Sequence, residues 1–110
     1  MANKNLSIDA LRLVASRFKM LSEPIRLQIL HKLQEGEASV NELADSISAS
    51  QPNVSKHLKM LQAEGILSRD QKGNTVFYSI SDESIFELCD MVCNSLESRL
   101  KSQASIFSDA

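Results

Sequence analysis

The sequence is poor in residues that interrupt regular structure and in those that build a disulfide framework. Its 110 residues include only 3 Gly, 2 Pro and 2 Cys. With 43% hydrophobic and 24% charged residues, this composition excludes a mostly disordered or fibrous chain and predicts one compact globular domain. Two cysteines can form at most one internal bridge, so a disulfide scaffold is excluded as well.

Long apolar runs and enzyme motifs are also missing. No stretch approaches the roughly 18 apolar residues that a membrane span requires, and the first ten residues lack the apolar core of a secretory signal. We therefore expect a cytoplasmic protein without a membrane partner. The sequence contains no glycine-rich phosphate loop, no His-Glu-x-x-His motif and no nucleophile elbow, so no enzymatic activity is predicted.

Charge is unevenly distributed along the chain. The formal net charge is -2, but the last thirty residues, 81–110, carry a net charge of -4 and the first eighty carry +2. An acidic C-terminal segment therefore masks a mildly basic body, and a local basic patch on that body can still bind phosphate.

Hydrophobic periodicity predicts five helices. Apolar residues recur at spacings of three and four in five segments, which is typical of amphipathic helices. The first helix is predicted at about 8–20 and the last at about 82–101, and both have an apolar stripe. A serine precedes each helix as a candidate N-cap. These serines are Ser7, Ser22, Ser39, Ser50 and Ser81.

The segment between the fourth and fifth helices has a different period. Thr75–Ile80 is rich in β-branched and aromatic residues, and Gln71–Asn74 before it is a turn sequence. This pattern predicts a β-hairpin with strands near Leu67–Asp70 and Thr75–Ile80. Four helices, a hairpin and a fifth helix form the layout of a winged helix-turn-helix, a mainly α fold with a small β-hairpin. The whole chain, 1–110, is predicted to be one such domain, with 102–110 as a frayed tail.

The fourth helix has an outward face suited to DNA. If Val54, Leu58 and Leu61 point inward, the polar residues turn outward. Gln and Ser can read base edges, whereas Lys and Arg, and the positive helix N-terminus, attract phosphate. His57 lies between the two faces, and a packed or backbone-bonded histidine is favoured there over a base reader or a pH switch. A face that is simply solvated would also carry lysines. The predicted DNA-contacting residues are Ser50, Gln51, Pro52, Asn53, Ser55, Lys56, Lys59, Arg69 and Lys72.

Four segments in this order resemble the ArsR/SmtB family of prokaryotic repressors. They are Leu21–Leu30, Glu42–Ala44, Ser50–Leu58 and Thr75–Tyr78, within a resemblance that covers about 18–96. The resemblance implies a homodimer that binds a palindromic operator, needs no cofactor for this, and leaves when an inducer binds. It also implies pairing of the first and last helices of each subunit, which agrees with their apolar stripes. Independently, one short recognition helix reads few base pairs, so a two-fold pair with half-sites about 34 Å apart is expected.

Two metal sites found in members of this family have no counterpart here. Where its arsenic and cadmium sensors have Glu-Leu-Cys-x-Cys, residues 42–46 read Glu-Leu-Ala-Asp-Ser. The zinc site on the last helix uses Asp, His and Glu. Asp82 lies in that neighbourhood, but His31 and His57 lie outside the last helix. Zinc sensing of that type is therefore not expected.

Cys89 and Cys93 are the remaining candidates for an inducer site. Four residues apart on a helix, they are displaced by about 6 Å along its axis and about 40° around it, so both thiols face one side. They could bind arsenite, antimonite or copper(I), with the partner's pair completing the site. Oxidation to a disulfide would instead bend the helix or link the two subunits, and persulfide chemistry would have the same mechanical effect. The alternatives are that both thiols are packing residues of a repressor without an inducer, or that the domain is a winged-helix protein-interaction module.

Overall fold

The computed structural model describes residues 5–100, and the elements follow the predicted order with one addition. The predicted tail, 102–110, lies outside the described residues. Within 5–100 no helix combines the length and apolarity that a bilayer span needs. The elements are α1 (Ile8–Met20), α2 (Pro24–Leu33), β1 (Ala38–Ser39), α3 (Val40–Ile47), α4 (Gln51–Ala63), β2 (Leu67–Lys72), β3 (Thr75–Ile80) and α5 (Ser84–Arg99).

The additional element is β1, a strand of two residues before α3. It pairs antiparallel with β3, so the sheet has the order β1-β3-β2 rather than the predicted two strands. β2 and β3 form the predicted hairpin, in register from Leu67 opposite Ile80 to Lys72 opposite Thr75. A two-residue strand is too short to show an alternating pattern, so the sequence carries no signal for β1. The mainly α winged helix-turn-helix is confirmed.

Three of the five predicted serine caps are confirmed. The hydroxyls of Ser7 and Ser50 each accept a hydrogen bond from the backbone N–H three residues on, at 3.1 and 3.3 Å. Ser39 and Glu42 form a full capping box at the start of α3, with distances of 3.2 and 2.9 Å. Each cap satisfies backbone donors that the first turn of a helix leaves unpaired.

The other two predicted caps are wrong. Ser22 donates its hydroxyl to the Lys19 carbonyl at 2.7 Å, and Ser81 donates to the Gly65 carbonyl at 2.9 Å. A serine hydroxyl is both donor and acceptor, so a nearby carbonyl can capture it. At α5 the carboxylate of Asp82 instead accepts from the backbone N–H two residues on, at 3.1 Å. The last helix accordingly spans 84–99 rather than about 82–101.

The core lies between α2, α3, α4 and the sheet. The three inner residues predicted for α4, Val54, Leu58 and Leu61, are all fully buried. Gly65, just after α4, has φ +78°, a left-handed conformation that glycine adopts without strain and that ends the helix. The buried apolar residues are Met20, Ile29, Leu30, Leu33, Leu43, Ala44, Val54, Leu58, Leu61, Ile66, Leu67, Tyr78 and Ile85.

The first and last helices lie at the periphery of this core. Met20 is buried at the end of α1 and Ile85 at the start of α5, whereas the apolar stripes of both helices remain largely exposed. An exposed apolar surface of this kind marks an interaction site. The large apolar residues exposed on these two helices are Ile8, Leu11, Leu13, Val14 and Phe18 on α1, and Met91, Val92 and Leu96 on α5.

Candidate nucleic-acid interface and cysteine groove

The N-terminal half of α4 presents a polar surface away from the core. Ser50 caps the helix and Pro52 lies in its first turn, so the remaining backbone N–H groups of that turn point outward with the positive end of the helix dipole. The structure brings most of the predicted DNA-contacting residues together here. Ser50, Gln51, Pro52, Asn53, Lys56 and Lys59 are exposed, and Ser55 is half-buried.

His57 faces the core and not this surface. Its side chain is buried, and its Nδ1 accepts a hydrogen bond from Nε of Arg26 at 3.0 Å. An imidazole that accepts from a guanidinium is neutral. Burial, and then the positive charges of Arg26 and Lys56, hold the pKa of His57 below its ordinary value. The prediction that His57 is packed is confirmed, and it is therefore not a base-reading residue.

Arg26 is a buried structural residue whose role was not predicted from the sequence. It is 7% exposed and also donates to the Met20 carbonyl at 3.4 Å, so it connects the end of α1 to α4. The sequence does contain a pattern that predicts the burial of Arg26. Arg26, Ile29, Leu30 and Leu33 follow helical spacing and are all buried, so the stripe places Arg26 on the inner face of α2.

The hairpin places two cationic side chains, Arg69 and Lys72, beside the helix-turn-helix. The two differ in their ion-pair partners. Nζ of Lys72 lies 2.6 Å from a carboxylate oxygen of Glu37 and 5.3 Å from the centroid of the Phe77 ring. The hydrogen bond to Glu37 raises the pKa of Lys72. Arg69 is exposed and has no ion pair within residues 5–100. A phosphate would therefore compete with Glu37 for Lys72, whereas Arg69 is available.

Cys89 and Cys93 line a single groove between α1, α2 and α5. The groove has a volume of about 640 Å³, and both cysteines have free thiols. Cys93 is exposed and Cys89 is half-buried. Burial, and then the neighbouring Cys93 and Asp90, raise the pKa of the Cys89 thiol. The lining is otherwise mainly apolar: Phe18, Leu21, Leu27, Leu30, Phe86, Leu88, Val92 and Leu96, with His31, Gln34 and Asp90.

The described part of one chain does not supply a complete metal site. Within residues 5–100 no three His, Cys, Asp or Glu side chains lie close enough together to bind one ion. The two thiols share a groove but have no third ligand among the described residues of their own chain. A three- or four-sulfur site at this groove would therefore need the cysteines of a second copy.

Comparisons with known proteins agree with this architecture. A family model described as "Bacterial regulatory protein, arsR family" matches residues 23–69. The transcriptional regulator KmtR of Mycobacterium tuberculosis is 36% identical over 80 residues, which are 73% of this chain and 62% of KmtR. The cadmium resistance regulatory protein CadC homolog of Staphylococcus aureus is 36% identical over 90 residues, 81% of this chain and 74% of that protein. The chain thus spans less than two thirds of KmtR.

Solved structures with this fold are similar over most of the chain. The homodimeric winged helix-turn-helix domain of Mb0332 from Mycobacterium bovis has a TM-score of 0.76 and 28% identity, and the match covers 93% of this chain and 95% of that one. The antimony-specific transcriptional repressor AntR also has a TM-score of 0.76, with 26% identity and coverage of 90% and 91%.

Proposed function

This chain belongs to the ArsR family of bacterial regulatory proteins, and we propose that it is a transcriptional repressor that binds a palindromic operator as a homodimer. The observation that carries the proposal is the outward face of α4. It combines an accessible helix N-terminus, short polar side chains and two lysines on one exposed surface. The two relatives above are transcriptional regulators, a class that performs no catalysis.

The exposed apolar stripes of α1 and α5 support the homodimer. Phe18 on the stripe of α1 is 52% exposed, and Val92 on the stripe of α5 is 48% exposed. Water contact with such a surface is unfavourable, and burial between two copies removes it. The similar domain of Mb0332 is homodimeric. Two copies would present two α4 helices to successive turns of the major groove.

We assign the predicted DNA contacts by chemistry. Gln51 and Ser55 would read base edges in the major groove, since their side chains donate and accept hydrogen bonds. The helix N-terminus, with Ser50, Pro52 and Asn53, would lie against a phosphate. The phosphate-binding cations would be Lys56 and Lys59 on α4, and Arg69 and Lys72 on β2.

The test is fluorescence anisotropy with the protein's own promoter DNA and with unrelated DNA, over a series of salt concentrations. Gln51→Ala should weaken specific binding more than non-specific binding. Lys59→Ala should weaken both and reduce the salt slope by about one unit, because one phosphate contact is lost. Lys32→Ala is the matched control, since it removes a partly exposed lysine of α2 that pairs with Glu35, just beyond the end of that helix.

Unchanged operator affinity in both the Gln51 and the Lys59 variants would show that α4 is not the recognition helix. A wild-type protein that binds its promoter no better than unrelated DNA would refute the repressor. That result would favour the protein-interaction module instead.

We further propose that Cys89 and Cys93 form the inducer site of this repressor. Two thiols in one groove can bind a soft ion such as arsenite, antimonite or copper(I), and the groove lies at the helix that we assign to the dimer contact. AntR is an antimony-specific repressor and the CadC homolog is a cadmium resistance regulator, which supports a soft ion as the inducer. Because the Cys89 thiol is protonated at neutral pH, binding would release its proton.

An oxidant or reactive sulfur species is the second inducer class. A peroxide would take two electrons from the two thiols, forming the sulfur–sulfur bond, and its oxygens would leave as water. An ideal helix holds Cβ atoms four residues apart at about 5–6 Å, whereas a disulfide needs about 3.5–4.5 Å. A disulfide within one chain would therefore bend α5, and one between copies would shift α5 relative to its partner.

The inducer is tested on the reduced protein bound to its operator. The complex is titrated separately with arsenite, antimonite, copper(I), a peroxide and a polysulfide. Release by one of them should be lost in the double variant Cys89→Ser/Cys93→Ser, which has no thiol because the sequence contains 2 Cys. The variant Cys89→Ala/Cys93→Ala lacks the serine hydroxyls as well as the thiols. If it also loses the release, the missing thiols are the cause and not the polarity of the serines. If the protein binds its operator tightly and none of the five compounds releases it, both cysteines are packing residues.

A further inference from the structure

We infer that Arg17 is a positioning residue for operator binding, because it joins the ends of three helices. Arg17 lies in the last turn of α1. Its Nη1 donates to a carboxylate oxygen of Asp82 at 2.9 Å, and its Nη2 donates to the backbone carbonyl of Glu64, also at 2.9 Å. We call these three residues the Arg17 clamp.

Both partners of Arg17 lie where another helix ends or begins. Glu64 is the C-cap of α4, where the last carbonyls have no partner within the helix. Asp82 precedes α5, and its other carboxylate oxygen accepts from the backbone N–H of Ser84 at 3.1 Å. The hydrogen bonds from Ser84 and Arg17 lower the pKa of Asp82. A single guanidinium therefore connects α1, the C-terminus of α4 and the N-terminus of α5.

Among the described residues, the other polar contacts near these helix ends include those of Arg26 with the end of α1 and of Ser81 with the Gly65 carbonyl. Met20 and Ile85 are the buried residues of α1 and α5, and most of the remaining side chains are exposed or half-buried. A planar guanidinium that donates from two of its nitrogens to two different partners fixes direction more strictly than apolar packing does. The adjacent Ser16 hydroxyl adds a bond of 3.4 Å to the Glu64 carboxylate. The clamp thus determines the angle between the helices with exposed apolar stripes and the helix with the polar outward face.

This angle decides whether both halves of a dimer can reach DNA together. If α1 and α5 form the dimer contact, the clamp sets the distance and tilt between the two α4 helices, which must match successive major grooves. Arg17 is also remote from the proposed base contacts. Glu64 lies 14 residues after Ser50, or about 21 Å along the helix axis. Arg17 should therefore act on affinity without binding a phosphate. The inference rests on the proposed operator binding but not on the cysteine site.

The experiment compares Arg17→Ala with Arg12→Ala in the full chain. Arg12 lies on the same helix, and its side chain is 75% exposed and pairs with Asp9 at 3.4 Å, so both variants lose one cation of α1. We expect Arg17→Ala to weaken operator binding by about 3- to 30-fold, the range typical of residues that couple distant sites. The salt slope and the dimer mass in analytical ultracentrifugation should not change. Arg12→Ala should bind as the wild type does.

A second set of variants excludes a general loss of folding. Asp82→Asn keeps an oxygen that can cap α5 but removes the charge that faces Arg17, and Arg17→Lys can reach only one of the two partners. Both should bind operator with an affinity between wild type and Arg17→Ala. The double variant Arg17→Ala/Asp82→Asn should be no weaker than Arg17→Ala, since the two residues act together.

Three results would overturn the inference. They are a salt slope lowered by about one unit in Arg17→Ala, which would indicate a direct phosphate contact; additive losses in the double variant; and equal affinities of Arg17→Ala and Arg12→Ala. A wild-type protein that does not bind operator would instead refute the proposed function, and the role of Arg17 in operator binding with it.

Discussion

The buried pair of Arg26 and His57 offers a quantitative test of how this domain holds its recognition helix. Their hydrogen bond, 3.0 Å long, joins α2 to α4, and both residues are at most 7% exposed. His57→Leu removes the acceptor and leaves the Arg26 guanidinium with fewer partners. Arg26→Met removes the donor and leaves Nδ1 of His57 unpaired in the core. A buried hydrogen bond to a charged group contributes about 1.5–3 kcal/mol, so each single variant should lose about that much free energy of unfolding.

The double variant Arg26→Met/His57→Leu should be more stable than the sum of the two losses predicts. Neither residue is then left with an unpaired polar group, and two apolar side chains of similar size can pack together. We expect a coupling energy of about 1.5–3 kcal/mol. The measurement is urea unfolding at one fixed protein concentration, since dimerisation would make the apparent stability depend on concentration. Additive losses, with a coupling near zero, would refute the view that Arg26 and His57 act as a pair.

The same pair predicts a direction for the dependence of stability on pH. The pKa of His57 in the folded protein lies below its ordinary value of 6.5, chiefly because of burial, and Arg26 and Lys56 lower it further while Glu23 opposes them. The unfolded chain therefore binds the proton more readily. The contribution is present above about pH 6.5 and is lost as the pH falls from there through the folded pKa. Urea unfolding between pH 7.5 and about 5 should show this loss in the wild type and a smaller one in His57→Leu. Equal losses of unfolding free energy in the wild type and in His57→Leu would show that His57 does not cause this pH dependence.

Three further predictions concern other parts of the chain. Phe18→Glu puts a charge on the exposed stripe of α1 and should convert the dimer to monomer in analytical ultracentrifugation, whereas the same change at an exposed polar position of that helix, Lys19→Glu, should not. Gly65→Ala should lower the free energy of unfolding by about 1–2 kcal/mol, because the backbone at Gly65 has φ +78°. Apart from the adjacent residues, no heavy atom lies within 4 Å of the Cβ that alanine would add, so the cost is that of the backbone alone. An unchanged urea midpoint would contradict this. Glu37→Gln should free Lys72 and raise operator affinity at low salt, and an unchanged affinity would show that Lys72 does not bind phosphate.

The local features of this protein follow from its sequence because they depend on residues a few positions apart. The bounds of α1, the inner face of α4 and the caps at Ser7, Ser39 and Ser50 are all consequences of spacings of three and four. The shared groove of Cys89 and Cys93 also follows from their spacing, because residues four apart lie on one side of a helix. The hairpin is equally local, since a short turn joins its two strands.

The tertiary structure alone decided the contacts between distant residues. Arg26 and His57 are 31 positions apart, and Arg17 lies 47 positions from Glu64 and 65 from Asp82. The spacing of side chains along one helix does not determine which carbonyl or ring of another helix they contact. The same reason explains β1, which exists through its pairing with β3, and the wrong cap at Ser81, whose hydroxyl meets a carbonyl 16 positions away. A hydroxyl, an imidazole and a guanidinium each have several possible partners, and only the packed fold selects one.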